Sequence, residues 1–262
     1  MDTNIKTILI SPHSDDIAYS LGGALLKNYF EKPVVLVTVF MRSSFSPRLK
    51  LIDPEEITRI RRLEDIEFTK KIGIRYESFH FPEAPLRGKT SYEDIFGNSD
   101  PFSDPIYEDV YHSLLKLIKS SPDAVVVSPM SLGNNIDHLI IFEACSSICQ
   151  ENNIKISYYE DVPYASLLTL EQIKNKAFKI SPRLKPCSID ITSMLHGKLA
   201  NLKIYKTQIG RKIPKGVFTH AARIGIDSKG LIETHWNNNL LRKCFYYYVC
   251  IRKKQVYERI WE

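Results

Sequence analysis

No apolar run in this 262-residue chain approaches the roughly 20 residues that a helix needs to cross a bilayer. A membrane-spanning segment is therefore not expected. Met1-Asp2-Thr3-Asn4 lacks the basic and apolar regions of a signal peptide, so the expected compartment is the cytoplasm. Cysteine is scarce. Cys145, Cys149, Cys187, Cys244 and Cys250 are an odd number without zinc-ribbon spacing, which argues against a disulfide framework and for buried thiols. The first strand-like run is followed by no Gly-x-Gly-x-x-Gly turn, and Gly22-Gly23 come too late to cradle a pyrophosphate. Internal repeats, low-complexity tracts and nucleic-acid-binding motifs are also missing, so no nucleic-acid partner is expected.

What is present is enough apolar residue, 44% of the chain, to bury the core of one large α/β domain. Strand-like runs at Thr7–Ile10, Val34–Phe40, Arg75–Phe81, Ala124–Ser128 and Lys155–Tyr159 alternate with helix-like segments. Repeated β-α units predict a Rossmann-like, doubly wound and mostly parallel sheet. Asp53-Pro54-Glu55-Glu56 reads as a helix start, with an N-cap, proline in the first turn and acids against the helix dipole; Asp104-Pro105 repeats it. Between Phe81 and Pro105 the periodicity fades into a long loop, of the kind that often shapes a site. Beyond Tyr164 one helix-like stretch, Thr192–Gln208, precedes β-rich segments near Arg223–Asp227, Leu231–His235 and Cys244–Ile251. A single domain over 1–262 is expected, with a parallel core over 1–165 and a smaller, β-rich C-terminal extension or cap over 166–262.

The net charge of +6 hides an asymmetry. Residues 1–170 carry 17 Lys+Arg against 24 Asp+Glu, whereas residues 171–262 carry 19 against 6. Such a bias could meet nucleic acid, an anionic membrane or a phosphorylated, anionic substrate, but a solvated basic face is the better account of it.

Two polar strand ends concentrate the chemistry. Ile8-Leu9-Ile10 opens into Ser11-Pro12-His13-Ser14-Asp15-Asp16, and Ala124–Val127 opens into Ser128-Pro129-Met130-Ser131-Leu132-Gly133-Asn134-Asn135-Ile136-Asp137-His138. Taken alone, His-x-Asp-Asp before a helix could be a capping device, since Asp caps well. Parallel strands, however, deliver their C-terminal ends to one sheet edge, where open α/β folds bind ligands. There His13, Asp15, Asp16 and His138 can converge on a metal. Spacing does not decide which of Asp15 and Asp16 would bind it, because side-chain alternation breaks down where a strand turns into a helix.

These motifs resemble the PIG-L or LmbE-like family of metal-dependent N-deacetylases, whose first motif reads His-Pro-Asp-Asp and whose second ends in His-x-Asp-His. The likeness continues through Arg61-Arg62-Leu63-Glu64-Asp65, Phe81-Pro82-Glu83-Ala84-Pro85-Leu86-Arg87-Gly88, Tyr158-Tyr159-Glu160-Asp161-Val162-Pro163-Tyr164 and Tyr205-Lys206-Thr207-Gln208, similar to a branch that begins Ser-Pro-His. Ser14 stands where the family usually has proline, Ile17 where it often has glutamate, and Asn135 where it usually has the second motif's first histidine.

The resemblance implies removal of an acyl group, acetyl above all, from the amide nitrogen of an amino sugar or its conjugate, with Zn2+ or another divalent metal as cofactor. The alternative is a family member that binds metal but lacks efficient deacetylase activity. The implied ligands are His13, Asp16 and His138, with Asp15 as general base. Asn135 can stabilise an oxyanion but cannot protonate the departing amine, and Asp137, without a histidine to orient, is left between catalysis and helix capping. Arg87 and, less strongly, Arg42 are candidate substrate ligands, since a guanidinium suits carboxylate, phosphate or sugar hydroxyls. Glu160, Asp161 and Tyr164 read as site wall or structure. His80, His112, His196, His220 and His235 have no partner at ligand spacing, although His220 or His235 could enter from the C-terminal segment. A homo-oligomer is compatible with the sequence.

Overall fold

The structure, a computed structural model, describes residues 4–48, 53–97, 99–210, 212–227 and 255–262. Five strands, β1 (Thr7–Ser11), β2 (Val34–Thr38), β3 (Arg75–Ser78), β4 (Val125–Pro129) and β5 (Ile156–Tyr159), pair in parallel in the order 3-2-1-4-5. Each matches an expected strand to within a few residues. Helices α1 (Asp16–Leu26), α2 (Pro54–Ile72), α3 (Tyr92–Phe96), α4 (Tyr107–Lys119) and α5 (Ile136–Glu151) fill the connections.

Period-2 alternation sends neighbouring strand residues into two separate cores. Leu9, Leu36 and Val127 pack with Leu21 of α1 and Phe68 of α2, whereas Ile8, Ile10, Val35 and Val37 pack with Leu114 of α4 and Ile140 of α5. Both faces of the sheet are thus covered, as a doubly wound fold requires. At the start of α2 the Asp53 carboxylate accepts from the Glu55 N–H with proline in the first turn, as expected. Asp104 accepts from the Ile106 N–H ahead of α4, but its carboxylate also holds Arg87. Cys145 and Cys149 are buried free thiols on α5; burial pushes Cys149 up to about 12, which keeps it inert.

The C-terminal part continues the same sheet. β6 (Pro186–Asp190) and β7 (Tyr257–Trp261) add antiparallel strands in the order β5-β7-β6; α6 (Leu170–Ile180) precedes β6, α7 (Leu195–Leu202) packs on α1, and α8 (Lys212–Asp227) packs against both strands. Arg223–Asp227, expected as β-rich, is the end of α8: Val217, Ala221, Ala222 and Ile224 are buried at helical spacing. Leu231–His235 and Cys244–Ile251 lie outside the described residues. The helix-like stretch at Thr192–Gln208 is a 3-10 turn over Thr192–Met194 followed by α7, which ends at Leu202. Past it, Thr207 donates through N and Oγ1 to the Glu64 carboxylate, so a tertiary contact replaces the helix.

These elements grip the helix that follows the first polar turn. Glu258 of β7 accepts from the Gly23 and Ala24 N–H groups of α1, and the buried Lys198 Nζ bridges Glu258 and the Tyr19 carbonyl. Gly23 allows the approach, because a Cβ there would lie 2.7 Å from Ile191.

Candidate metal centre

The strand order places β2 and β4 on opposite sides of β1, so a topological switch point opens between the C-terminal ends of β1 and β4. Both polar segments end there. Asp16 Oδ2 lies 3.5 Å from His13 Nδ1 and 3.4 Å from His138 Nε2, and the three side chains present ligand atoms within 4.8 Å of one another. His138 Nε2 is buried without a hydrogen-bond partner among the described residues. Buried polar atoms are nearly always satisfied. An orphaned imidazole nitrogen facing a carboxylate and a second histidine therefore fits a cation held by an N2O donor set of two imidazoles and one carboxylate.

The other atoms of these ligands are tied to carboxylates. His138 Nδ1 lies 2.7 Å from Asp161 Oδ1, which fixes Nδ1 as the protonated nitrogen and leaves the Nε2 lone pair facing Asp16. His13 Nε2 lies 2.8 Å from Asp137 Oδ2. Burial disfavours charge on His13, but Asp137 and Asp16 outweigh it and push the imidazole up to about 10. Burial likewise opposes the charges of Asp16 and Asp137; the facing histidines, and Arg87 for Asp137, nevertheless hold both below the usual carboxylate range.

Asp137 does not cap α5. That role belongs to Asn135, whose Oδ1 accepts from the Asp137 N–H at 2.9 Å. Asp137 instead binds His13, the Ala84 N–H at 3.0 Å and Arg87 Nη1 at 2.8 Å. Arg87 is correspondingly not free for substrate. Its guanidinium pairs with both Asp104 oxygens, donates to the Pro82 carbonyl and lies over the Phe40 ring. Its exposed-loop position in the sequence hid two acidic partners that the fold delivers. Arg42 is exposed just beyond β2, and its backbone bridges to Pro82.

Asp15 is set apart from Asp16. It occupies the turn before α1 with φ 101°, a left-handed conformation that costs a non-glycine residue on the order of 1–3 kcal/mol. Its side chain caps nothing, which removes the simple capping reading. Burial, then the charge of Asp16, raise its carboxyl well above the ordinary value, while Arg61 opposes the shift. Arg61 is buried against Glu83, Ser43 and the Ser14 carbonyl, so it braces the backbone next to Asp15.

Tyr164 completes the wall. Its ring stands edge-on to His138 with centroids 5.4 Å apart, and its Oη accepts from Asn135 Nδ2 at 3.4 Å. The sequence flagged Asp161 and Tyr164 only as wall residues; their position beyond β5, two strands from β1, was the available signal. His220 binds Glu160 at 2.6 Å and stays outside the cluster, and His235 lies outside the described residues. Of the basic C-terminal residues, Lys198 and Arg223 are buried in internal bonds, and many others lie outside the described residues.

Residues 8–149 match a protein family described as PIG-L, GlcNAc-PI de-N-acetylase. The chain is 27% identical over 222 residues to a 2'-N-acetylparomamine deacetylase of Streptomyces fradiae, covering 83% of this chain and 78% of the relative. Among solved structures it resembles a deacetylase of the teicoplanin biosynthesis pathway, with TM-score 0.68, 17% identity and coverage of 98% and 96% of the two chains. A 4-carboxy-2-hydroxymuconate hydratase from Pseudomonas putida shares the fold at TM-score 0.58 and 16% identity, covering 90% of this chain and 92% of its own. The fold alone therefore does not fix the reaction, and the weight falls on the site residues.

Proposed function

This chain belongs to the PIG-L family, and we propose that it is a metal-dependent N-deacetylase that removes an acetyl group from the amide nitrogen of an amino sugar or glycoconjugate. The observation that carries the reading is the convergence of His13, Asp16 and His138 beside an Asp15 that is buried, strained and bound to none of them. Zinc is the proposed metal, although an N2O donor set suits other divalent ions. A metal of this kind polarises a carbonyl and makes a water nucleophilic near neutral pH.

The residues divide the remaining work. His13 and His138 present fixed nitrogens because Asp137 and Asp161 hold their other ring atoms. Asp15 accepts the proton of the attacking water as the carbon–oxygen bond forms. Its raised pKa suits a base that must later return that proton to the departing nitrogen as the carbon–nitrogen bond breaks. The products are acetate and a free amine. Asn135 supplies no acid, so this shuttle falls to Asp15.

Asn135 also favours a second reading, in which the metal site is kept but deacetylation is inefficient. An acetate-release screen across N-acetylated amino sugars, with and without chelator, separates the two. Chelator-sensitive release is expected. A metal-loaded protein that releases acetate from none of them would favour the second reading.

A further inference from the structure

The family's second motif usually carries a histidine where this chain has Asn135, and the structure supplies a different polar group at that position. Asn135 cannot turn freely, because its Oδ1 is committed to capping α5. Its amide hydrogens are therefore held toward Tyr164, 3.4 Å away. In that bond the phenol oxygen is the acceptor. Its own proton remains available for a second partner, and the Tyr164 hydroxyl has no other hydrogen bond among the described residues.

The surrounding chain is shaped around this ring. Gly133 leaves the space it occupies, since a Cβ there would lie 2.4 Å from Tyr164 Cγ. Ser131 and Asn134 on either side adopt φ of 55° and 53°, conformations that non-glycine residues seldom take. Phe96 and His138 both pack against the ring, at 5.9 and 5.4 Å between centroids. Two other phenols near the site are committed elsewhere, Tyr159 Oη to the Ile10 carbonyl and Tyr205 Oη to Asp65, and a third, Tyr19, is buried on the side of Asp15.

We propose that the Tyr164 hydroxyl, held by Asn135 beside His138, donates the hydrogen bond that stabilises the oxyanion formed at this site. The proposal rests on the deacetylase reading for the identity of that oxyanion. It requires no proton transfer by tyrosine, which stays a neutral donor while Asp15 carries the proton.

The test is Tyr164→Phe, which keeps the ring against Gly133 and His138 and removes only the hydroxyl. Metal content and thermal midpoint should match the parent. The kcat for acetate release should fall about 10² to 10³-fold, as for other lost oxyanion donors, with little change in KM. Methylphosphonate, a tetrahedral anion, should bind the metal-loaded variant at least tenfold more weakly than the parent. Adding Asn135→His to Tyr164→Phe should restore part of both losses, because an imidazolium can donate to the same oxygen.

Parent-like kcat and parent-like methylphosphonate affinity in a fully metal-loaded Tyr164→Phe protein would overturn the proposal. A parent that turns over no acetylated amino sugar, yet loses at least tenfold in methylphosphonate affinity on Tyr164→Phe, would sink the deacetylase reading and leave the tyrosine donor standing.

Discussion

His138 Nδ1, in the first turn of α5, and Asp161 Oδ1, just beyond β5, lie 2.7 Å apart in a buried contact. That one contact sets which imidazole nitrogen can serve as a ligand, because the proton it places on Nδ1 leaves Nε2 free. A carboxylate in this position typically contributes 10- to 100-fold in metal affinity. Replacing Asp161 with Ala should weaken metal binding by about that factor without changing which residues bind. A competitive chelator titration measures it, and an unchanged dissociation constant would show that Asp161 only fills space.

Arg87 separates structure from recognition. Removing its guanidinium leaves two nearly fully buried carboxylates short of their closest guanidinium partner, Asp104 with only Lys89 at 3.6 Å and Asp137 with only His13. Breaking a buried pair in this way costs about 3 kcal/mol or more. Arg87→Ala should therefore lower the denaturation free energy by about that amount and weaken metal binding through His13. A raised KM with parent-like stability would return Arg87 to the role of substrate ligand.

The two motifs made the metal ligands legible because a strand, a turn and a helix are local, and parallel strands share an edge whatever lies between them. The supporting shell was not legible. Asp161 meets His138 only through the pairing of β4 with β5, and Arg87 meets Asp137 only when the long loop folds between the end of β2 and the start of α5. Residue type suggested a substrate-binding arginine, but burial turned it inward. At Arg223–Asp227 a short apolar run was ambiguous between strand and helix, and packing of the preceding turns decided for the helix. Strands β6 and β7 escaped detection for different reasons: β6 is a short, mostly half-exposed edge strand, and β7 buries the charged Glu258 and Arg259 where an apolar pattern would be sought.

Asp15→Asn tests the division of labour between the adjacent aspartates. The variant should retain metal, because Asp15 takes no part in the cluster of His13, Asp16 and His138. Its kcat should fall at least roughly a hundredfold, the lower range for a lost general base. Elemental analysis and steady-state kinetics on the same preparation are required. Loss of metal would make Asp15 a ligand, and near-normal turnover would remove its role as base.

Asp65 carries a pH signature of the fold. Burial raises its carboxyl from 3.8 to about 6, despite hydrogen bonds from Thr38 and Tyr205. The folded state therefore holds this proton more tightly than the unfolded chain does. Its contribution to stability is present below about pH 4 and is lost as pH rises through about 6, by about 3 kcal/mol in all. Denaturant titrations of the parent and Asp65→Asn across pH 4 to 7 isolate this group. The difference in stability between them should shift across that window in favour of the variant as pH rises; a difference independent of pH would contradict the buried, uncharged-favouring environment.

The most direct measurement is acetate release from an N-acetylated amino sugar as a divalent metal is returned stepwise to chelator-stripped protein, in the parent and in Asp16→Ala. The account predicts no turnover in the stripped protein and a rate that rises linearly to a break at one metal per chain. Asp16→Ala should bind less metal and stay inactive throughout. Turnover that survives complete stripping, or an Asp16→Ala protein that matches the parent at equal loading, would contradict a single catalytic metal held by His13, Asp16 and His138.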